Sequence, residues 1–201
     1  PRAPCVSLTR IEAHAMSRAV DSRKREFAAG RRAARDALRQ LGHTAPDIPI
    51  GPDRAPIWPA GFVGSIAHDA TACIALAARR DAIASIGVDL EPDMPLPNDL
   101  WPEILSQTEA DALAGLPPPE WGRSARRLFC AKEAVYKCQY PFSHDILGFD
   151  AVEITLPAAS RNSNFTARLT RDAGPLKAGY LLRGHVLVSE GHILAATWIP
   201  A

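Results

Sequence analysis

The sequence lacks long apolar runs and holds few cysteines. Within its 201 residues, no apolar run approaches the length of roughly 18 residues that a membrane-spanning helix needs. The four cysteines, Cys5, Cys73, Cys130 and Cys138, form no C-x-x-C pair, and no His/Cys spacing resembles a zinc site. Scattered thiols fit a reducing compartment better than a disulfide scaffold. We therefore expect a cytoplasmic protein that has neither a membrane segment nor disulfides.

The chain also lacks a strong net charge, which is +1 at pH 7. A molecule with this balance is not, as a whole, a binder of polyanions. The charge is nevertheless uneven, because residues 18–39 hold a basic excess, with Arg or Lys at 18, 23, 24, 25, 31, 32, 35 and 39 against acids at 21, 26 and 36. Such a cluster indicates either a phosphate-rich partner or a solvated helix face.

The order of predicted elements is helix, loop, strands, connector, helix, strands. The proline-free residues 9–41 predict one or two helices that end at Gly42, and a Pro-rich loop follows over 46–61. Later helices are predicted to begin at Ser106 and to run over 121–140, where Pro141 ends the second. Strands are predicted over 62–78, 82–91, 149–156, 164–170, 180–189 and 192–199. We expect an α+β protein of two similar halves, residues 1–98 and 99–201, joined at the connector 92–98.

The first informative motif is Asp89-x-Glu91 in the predicted strand 82–91. Alternate residues of a strand share a face, so Ile86, Val88 and Leu90 would point into the core. The two carboxylates would share the opposite face, about 7 Å apart by the strand rise. Two close carboxylates repel, and Mg²⁺ is a cation that one or two protein carboxylates bind. The alternative is an exposed strand end that carries two solvated acids.

The second motif lies in the longer predicted helix. A spacing of four places Phe129, Glu133 and Lys137 on one stripe. Glu133 and Lys137 could form a surface ion pair worth a few tenths of a kcal/mol. Alternatively, Glu133 is a third carboxylate beside Asp89 and Glu91, and Lys137 faces a phosphate.

Taken together, the two motifs resemble the paired signature of the 4′-phosphopantetheinyl transferases, in which the strand acids precede an F-x-x-K-E-x-x-x-K helix. Two more blocks resemble the subgroup like enterobactin synthase component D: the basic segment from Arg23 to Leu41, and the loop R-A-P-I-W-P at 54–59 that leads to G-S-I-A-H at 64–68. The run 129–137 resembles actinobacterial members that serve fatty-acid, polyketide, nonribosomal-peptide and siderophore synthesis. The last 60 residues match no motif.

The resemblance implies a reaction and its catalytic residues. Coenzyme A and an apo acyl or peptidyl carrier protein would give the holo carrier and adenosine 3′,5′-bisphosphate. Asp89, Glu91 and Glu133 would bind Mg²⁺, Glu133 would also take the proton of the carrier serine, and Lys137 would contact the transferred phosphate.

The resemblance also implies contacts to coenzyme A. Arg23, Arg31 and Arg54 would bind its 3′-phosphate end, since guanidinium groups grip phosphate through forked hydrogen bonds. His68 would touch its phosphates, and Asp89, Lys132 and Lys137 complete the expected set. Arg25, Arg32, Arg35 and Arg39 are expected to be surface charges. Ala67 departs from the Ser or Thr that many relatives carry, so one hydroxyl contact is missing.

The family's larger members hold the cofactor in a cleft between two halves of one chain, whereas smaller members build the cleft in a trimer. By resemblance we expect a monomer that binds neither nucleic acid nor membranes. The basic residues Arg123, Arg126 and Arg127 could recruit an acidic carrier protein. Two alternatives remain open: a polyanion- or nucleic-acid-binding module built on residues 18–39, and a divalent-metal phosphohydrolase that uses the same carboxylates.

Overall fold

The computed structural model describes residues 8–44, 47–157 and 161–201. Cys5 and Pro46, the first residue of the predicted loop, lie outside these ranges. Helices and antiparallel strands alternate along the chain, which confirms the predicted α+β class. Among the described residues, Cys73, Cys130 and Cys138 are not joined in disulfides. Within the same ranges every helix is too short or too polar to span a bilayer.

The chain forms two compact units. The first comprises the described residues up to Ile86 together with Pro200 and Ala201, and the second comprises Gly87–Ile199. The division therefore falls inside a strand that runs across it, whereas the sequence places the joint at residues 92–98. The predicted domain boundary after residue 98 stays a prediction.

The first unit consists of helices α1 (Arg10–Ala15) and α2 (Asp21–Gln40) and strands β1 (Phe62–His68) and β2 (Cys73–Arg79). β1 and β2 pair in antiparallel fashion. The single strand predicted over 62–78 is therefore wrong, because Asp69 turns the chain by accepting hydrogen bonds from the backbone N–H groups of Thr71 and Ala72, both at 2.7 Å.

Helix α2 packs on this hairpin through a close approach at Gly30. A Cβ at Gly30 would lie 3.0 Å from Cγ2 of Ile66 on β1. Gly30 is therefore a contact point inside the helix, and α2 continues through it. The core of this unit is built from Ala34, Leu38, Ile48 and Phe62.

The second unit packs helices on a five-stranded antiparallel sheet. The helices are α3 (Trp101–Ile104), α4 (Gln107–Ala114) and α5 (Pro118–Ser143). The strands are β3 (Ile83–Pro92), β4 (Val152–Thr155), β5 (Asn162–Leu169), β6 (Leu181–Ser189) and β7 (His192–Pro200), in the order β3-β7-β6-β5-β4. The four predicted C-terminal strands are confirmed.

Helix α5 does not stop at Pro141. It continues to Ser143 and ends at His144, which adopts a left-handed conformation at φ 54° and donates its N–H to the Tyr140 carbonyl at 2.9 Å. The prediction that Pro141 ends the helix is wrong. Pro141 lies in the last turn, where it removes one backbone donor without forcing an immediate break.

Each unit contains a buried glutamate at the start of a short helix. Glu12 and Glu109 each close a capping box with the residue three positions earlier, Thr9 or Ser106. Each also accepts a backbone N–H from a distant segment, at Ile48 (3.2 Å) and at Ile154 (2.7 Å) respectively. The two glutamates therefore tie a helix start to a segment far away in sequence.

Each of these glutamates also binds a cation on the long helix of its own unit. Arg35 Nη1 lies 2.6 Å from Glu12, and Lys132 Nζ lies 2.8 Å from Glu109. Arg35 follows Glu12 by 23 positions, and Lys132 follows Glu109 by the same spacing (132 − 109). This repeated pair supports the predicted similarity of the two halves.

Candidate active site

Strand β3 presents its acids to α5. A Cβ at Gly87 would lie 1.9 Å from the Ala134 carbonyl oxygen and 2.6 Å from the Cys138 nitrogen, so only glycine permits this approach. Asp89 and Glu91 follow on the same face of the strand, and Asp89 is only 6% exposed. The alternative of two solvated acids at a strand end is therefore wrong for Asp89.

Asp89 forms the closest contact between this strand and the helix. Its Oδ1 accepts a hydrogen bond from Lys137 Nζ at 2.6 Å. Its Oδ2 is buried and has no hydrogen-bond partner among the described residues. Lys137 therefore pairs with a strand acid, whereas helix spacing alone suggested Glu133 as its partner.

Glu91 pairs with Arg126 on α5, whose Nη1 lies 2.9 Å from Glu91 Oε2. The two side chains are 21% and 16% exposed, respectively. Burial and the neighbouring Asp89 raise the pKa of Glu91, and Arg126 opposes that rise. The expectation that Arg126 is a surface charge for a carrier protein does not match its position, because its guanidinium is committed to Glu91.

Glu133 lies on α5, one turn before Lys137. Burial and the charge of Asp89 raise the pKa of Glu133, and Lys137 opposes the rise. A carboxylate with a raised pKa is a better proton acceptor. Glu133 also lines a cavity of about 280 Å³, together with Tyr136, Ile146 and Phe149.

The three acids have the donor chemistry of a Mg²⁺ site. Mg²⁺ takes oxygen ligands, and the buried Asp89 Oδ2 is an oxygen that lacks a partner. The described residues contain no group of three or more His, Cys, Asp or Glu side chains already arranged around one point. In this structure Asp89 and Glu91 contact cationic side chains instead. The residue types fit the metal, and the metal site itself stays a prediction.

Among the described residues, Lys132 contacts Glu109 and two backbone carbonyls and not Asp89, Glu91 or Glu133. Its side chain is 1% exposed, and Nζ donates to the carbonyls of Ile104 (2.8 Å) and Phe149 (3.0 Å) and pairs with Glu109. An ammonium has three donors, and these partners use all of them. This geometry supports a structural role for Lys132 and weighs against the expected contact with coenzyme A.

Two of the expected cofactor residues meet in the first unit. Arg23 Nη1 lies 3.2 Å from His68 Nε2 and also 3.2 Å from Glu26. Arg54 is exposed in the loop and adopts a left-handed φ of 70°. Ala67 is buried at 3% exposure, so a hydroxyl at this position would lie in the core.

Arg31 is a buried member of the basic helix. Its Nε donates to the Ile48 carbonyl at 2.6 Å, and its guanidinium stacks 4.2 Å from the Phe27 ring. Burial lowers the pKa of Arg31 to about 10, and the charge of Glu12 opposes that shift. Arg31 therefore contributes to the packing of this unit. Its contact with coenzyme A stays a prediction.

Most other charges of α2 are paired. Arg32 and Arg39 both contact Asp36, whereas Arg35 binds the buried Glu12 and is only 12% exposed. The prediction of Arg35 as a surface charge is wrong, because the fold brings α1 against that face of α2. The prediction holds for Arg32 and Arg39, which are half exposed.

The sequence interpretation missed the contact of Arg126 with Glu91 and the cavity beside Glu133. Arg126 lies three residues before Phe129 of the motif, on an adjacent turn of α5, and this spacing was an available signal. The cavity depends on the segment after α5, whose sequence carries no motif.

Comparison with known proteins defines the class of this molecule. Residues 11–78 match the family model of the 4′-phosphopantetheinyl transferase N-terminal domain, and residues 85–195 match that of the 4′-phosphopantetheinyl transferase superfamily. The chain belongs to this superfamily of enzymes, which transfer phosphopantetheine to carrier proteins. The predicted family is confirmed.

Individual relatives place the chain more closely. It is 39% identical to the 4′-phosphopantetheinyl transferase PptT of Mycobacterium tuberculosis, over 92% of this chain and 83% of the relative. It is 38% identical to the 4′-phosphopantetheinyl transferase Svp of Streptomyces mobaraensis, over 100% and 82%. Enterobactin synthase component D of Salmonella typhi is 39% identical over 66% of this chain and 55% of its own length. The predicted resemblance to actinobacterial members is confirmed.

Proposed function

We propose that this protein transfers the 4′-phosphopantetheine arm of coenzyme A to a serine of an apo acyl or peptidyl carrier protein, with Mg²⁺, and releases adenosine 3′,5′-bisphosphate. The observation that carries the proposal is the group formed by Asp89, Glu91, Glu133 and Lys137 where β3 packs on α5. Family membership supports the reaction class.

Glu133 is the proposed general base. The carrier serine oxygen forms a new bond to the phosphorus of the arm, while the bond from that phosphorus to the bridging oxygen of adenosine 3′,5′-bisphosphate breaks. The serine must lose its proton as it attacks. Glu133 suits this role because burial and Asp89 raise the pKa of its carboxyl group, so it holds a proton more readily than an exposed glutamate.

Lys137 is the proposed phosphate contact. An ammonium has three donors, so the hydrogen bond to Asp89 at 2.6 Å does not exhaust it. A point charge at this place stabilises negative charge that develops on the transferred phosphate.

Asp89, Glu91 and Glu133 are the residues that would hold Mg²⁺. When bound, this ion neutralises charge on the pyrophosphate and on the leaving group. The oxygen donors and the unpartnered Oδ2 of Asp89 support this part of the proposal.

The cavity beside Glu133 suits the pantetheine arm, which is a flexible chain of methylene groups and two amides. Tyr136, Ile146 and Phe149 line it with apolar surface, and Gln139 adds an amide. Arg23, beside His68, is the proposed contact for the 3′-phosphate, because half of its side chain is exposed.

The polyanion-binding alternative loses support from the pairing of the basic helix. Lys24, Arg32, Arg35 and Arg39 contact acidic side chains. Three acids, Asp21, Asp36 and Glu12, therefore compensate part of the positive charge of this helix. A cytoplasmic monomer is part of the proposal: the described cysteines are not joined in disulfides, and both family models match within one chain.

The decisive experiment is intact-mass spectrometry of apo acyl and peptidyl carrier proteins incubated with this protein, coenzyme A and Mg²⁺. We expect a gain of one phosphopantetheine group that disappears with a chelator or with Asp89→Ala. Release of pantetheine phosphate in the absence of any carrier would instead support a phosphohydrolase. The proposal fails if coenzyme A binds and no carrier gains mass.

A further inference from the structure

Arg126 contacts both Glu91 and the segment that follows β3. Besides the 2.9 Å contact with Glu91, its Nε donates to the Met94 carbonyl and its Nη2 to the Pro95 carbonyl, each at 3.4 Å. All three guanidinium nitrogens therefore have partners. The guanidinium is a cation, so Glu91 has a positive neighbour that these contacts hold in place.

The backbone around Arg126 fixes this position. The Leu96 N–H donates to the Gly122 carbonyl at 2.9 Å, and a Cβ at Gly122 would lie 2.7 Å from Cβ of Pro95. The segment that carries the two carbonyl acceptors is thus held against the start of α5. Arg126 cannot easily turn towards solvent, because it would give up all three hydrogen bonds.

We propose that Arg126 is an internal counter-ion that competes with the divalent cation for Glu91 and so lowers the metal affinity of the active site. This inference rests on the proposed function, in which Glu91 is a metal ligand. Arg126 is a positioning residue, since it acts through Glu91 and not on the substrate.

The argument follows from charge and geometry. Three carboxylates on β3 and α5 repel one another, and a fixed cation at Glu91 offsets part of this repulsion. A metal ion that binds Glu91 must share or displace a charge-assisted hydrogen bond in a partly buried place, where such bonds are strong. Metal binding is therefore weaker than the three carboxylates alone would allow.

Arg123 provides a matched control on the same helix. It lies one turn earlier, is 53% exposed, and approaches Asp93 only at 3.7 Å. Arg123→Gln removes the same charge as Arg126→Gln, so it reports the effect of net charge without the contact to Glu91.

The test is calorimetric titration of the full chain with Mn²⁺ and with Mg²⁺, without substrate. We expect Arg126→Gln to bind metal roughly tenfold more tightly, since hydrogen bonds to charged groups contribute on this scale. Arg126→Lys, which keeps the charge, should remain near the wild-type affinity, and Arg123→Gln should not change it. Asp89→Ala should lose binding. In the transfer assay, the Mg²⁺ concentration for half-maximal rate should fall for Arg126→Gln.

A second measurement needs no destabilising variant. In the wild-type protein, titration with Mg²⁺ should shift the NMR resonance of the Arg126 Nε–H group and leave that of Arg123 in place. An unmoved Arg126 resonance under saturating metal overturns the inference, and so does unchanged or weaker binding by a folded Arg126→Gln. Either result leaves the proposed function intact if wild-type binding depends on Asp89. If the wild-type protein binds no metal and modifies no carrier, the proposed function itself fails.

Discussion

In both units a buried glutamate binds a cation on the long helix that follows it, with the same spacing of 23 residues between Glu12 and Arg35 as between Glu109 and Lys132. The remaining charges of the two long helices differ. On α2 they pair mainly within the helix, as Arg32 does with Asp36. On α5 they reach the neighbouring strand.

The difference separates structural cations from those of the active site. Both units contain a buried glutamate–cation pair, but only the second unit contains the acids Asp89, Glu91 and Glu133. The pair is therefore best explained by a role in folding. Helix α5 contacts Asp89 and Glu91 on β3. The strands that pack with α2, β1 and β2, contain no acidic residue. Lys137 and Arg126 are therefore the α5 cations to which we assign roles in the chemistry, and Lys132 is the counterpart of Arg35.

The largest expected effect is on the turnover number of a Glu133 variant. Glu133 lies on α5 in the second unit, beside the strand acids. Glu133→Gln keeps the size of the side chain but removes the base, so the turnover number should fall by roughly a hundredfold to ten-thousandfold. Carrier modification followed by mass spectrometry gives the rate, and calorimetry gives the affinity for coenzyme A. An equal loss of rate and affinity would demote Glu133 to a binding residue.

The comparison of the two buried pairs predicts the next effect. Lys132→Met leaves Glu109 buried without its cation and should lower the free energy of unfolding by about 3–5 kcal/mol. Arg35→Met should cost less, about 2 kcal/mol, because Arg35 is 12% exposed whereas Lys132 is 1% exposed. Urea denaturation measures both.

The double variant Glu109→Leu/Lys132→Met provides the control for this pair. It removes both charges and should recover part of the stability lost by Lys132→Met alone, because Glu109→Leu also takes the acceptor from the Ser106 and Ile154 N–H groups. A stable Lys132→Met protein with a weakened affinity for coenzyme A would show that Lys132 binds coenzyme A. Lys132 and Arg35 would then not share one structural role.

A smaller effect is expected at Arg23 in the first unit. Arg23→Ala should raise KM for coenzyme A about tenfold and should abolish the preference for coenzyme A over its 3′-dephospho form, since the guanidinium is the proposed phosphate contact. Arg32→Ala is the control, because Arg32 lies on the same helix and is half exposed. If both variants lose the preference equally, the contact is diffuse charge and not Arg23.

The smallest expected effect is on the Tm of the Glu133→Gln variant. Because its pKa is raised in the folded protein, the folded state binds a proton more tightly than the unfolded state does. This stabilisation is fully present below the unfolded pKa and is lost as pH rises through the raised folded pKa. In chelator-treated protein at about pH 7, Glu133→Gln should therefore have a slightly higher Tm than wild type.

The sign of that difference is checked by lowering the pH. At about pH 4 the advantage should shrink, since the wild-type carboxyl group is then largely protonated. Glu103→Gln is the control, because Glu103 is exposed on α3. A lower Tm for Glu133→Gln at neutral pH would mean that Glu133 stabilises the fold through a contact with Lys137.

The sequence alone determined the family, the α+β class and the acids of the candidate site, because each rests on residue type and local spacing. The strand period placed Asp89 and Glu91 on one face, and the helix period placed Glu133 one turn from Lys137. Only the tertiary structure decided which cation meets which acid. Helix periodicity defines a face of α5 but not what lies opposite it, so Arg126, Lys132 and Lys137 could not be told apart by charge. Their partners depend on the close approach at Gly87 and on the buried Glu109, which are contacts between segments far apart in the chain.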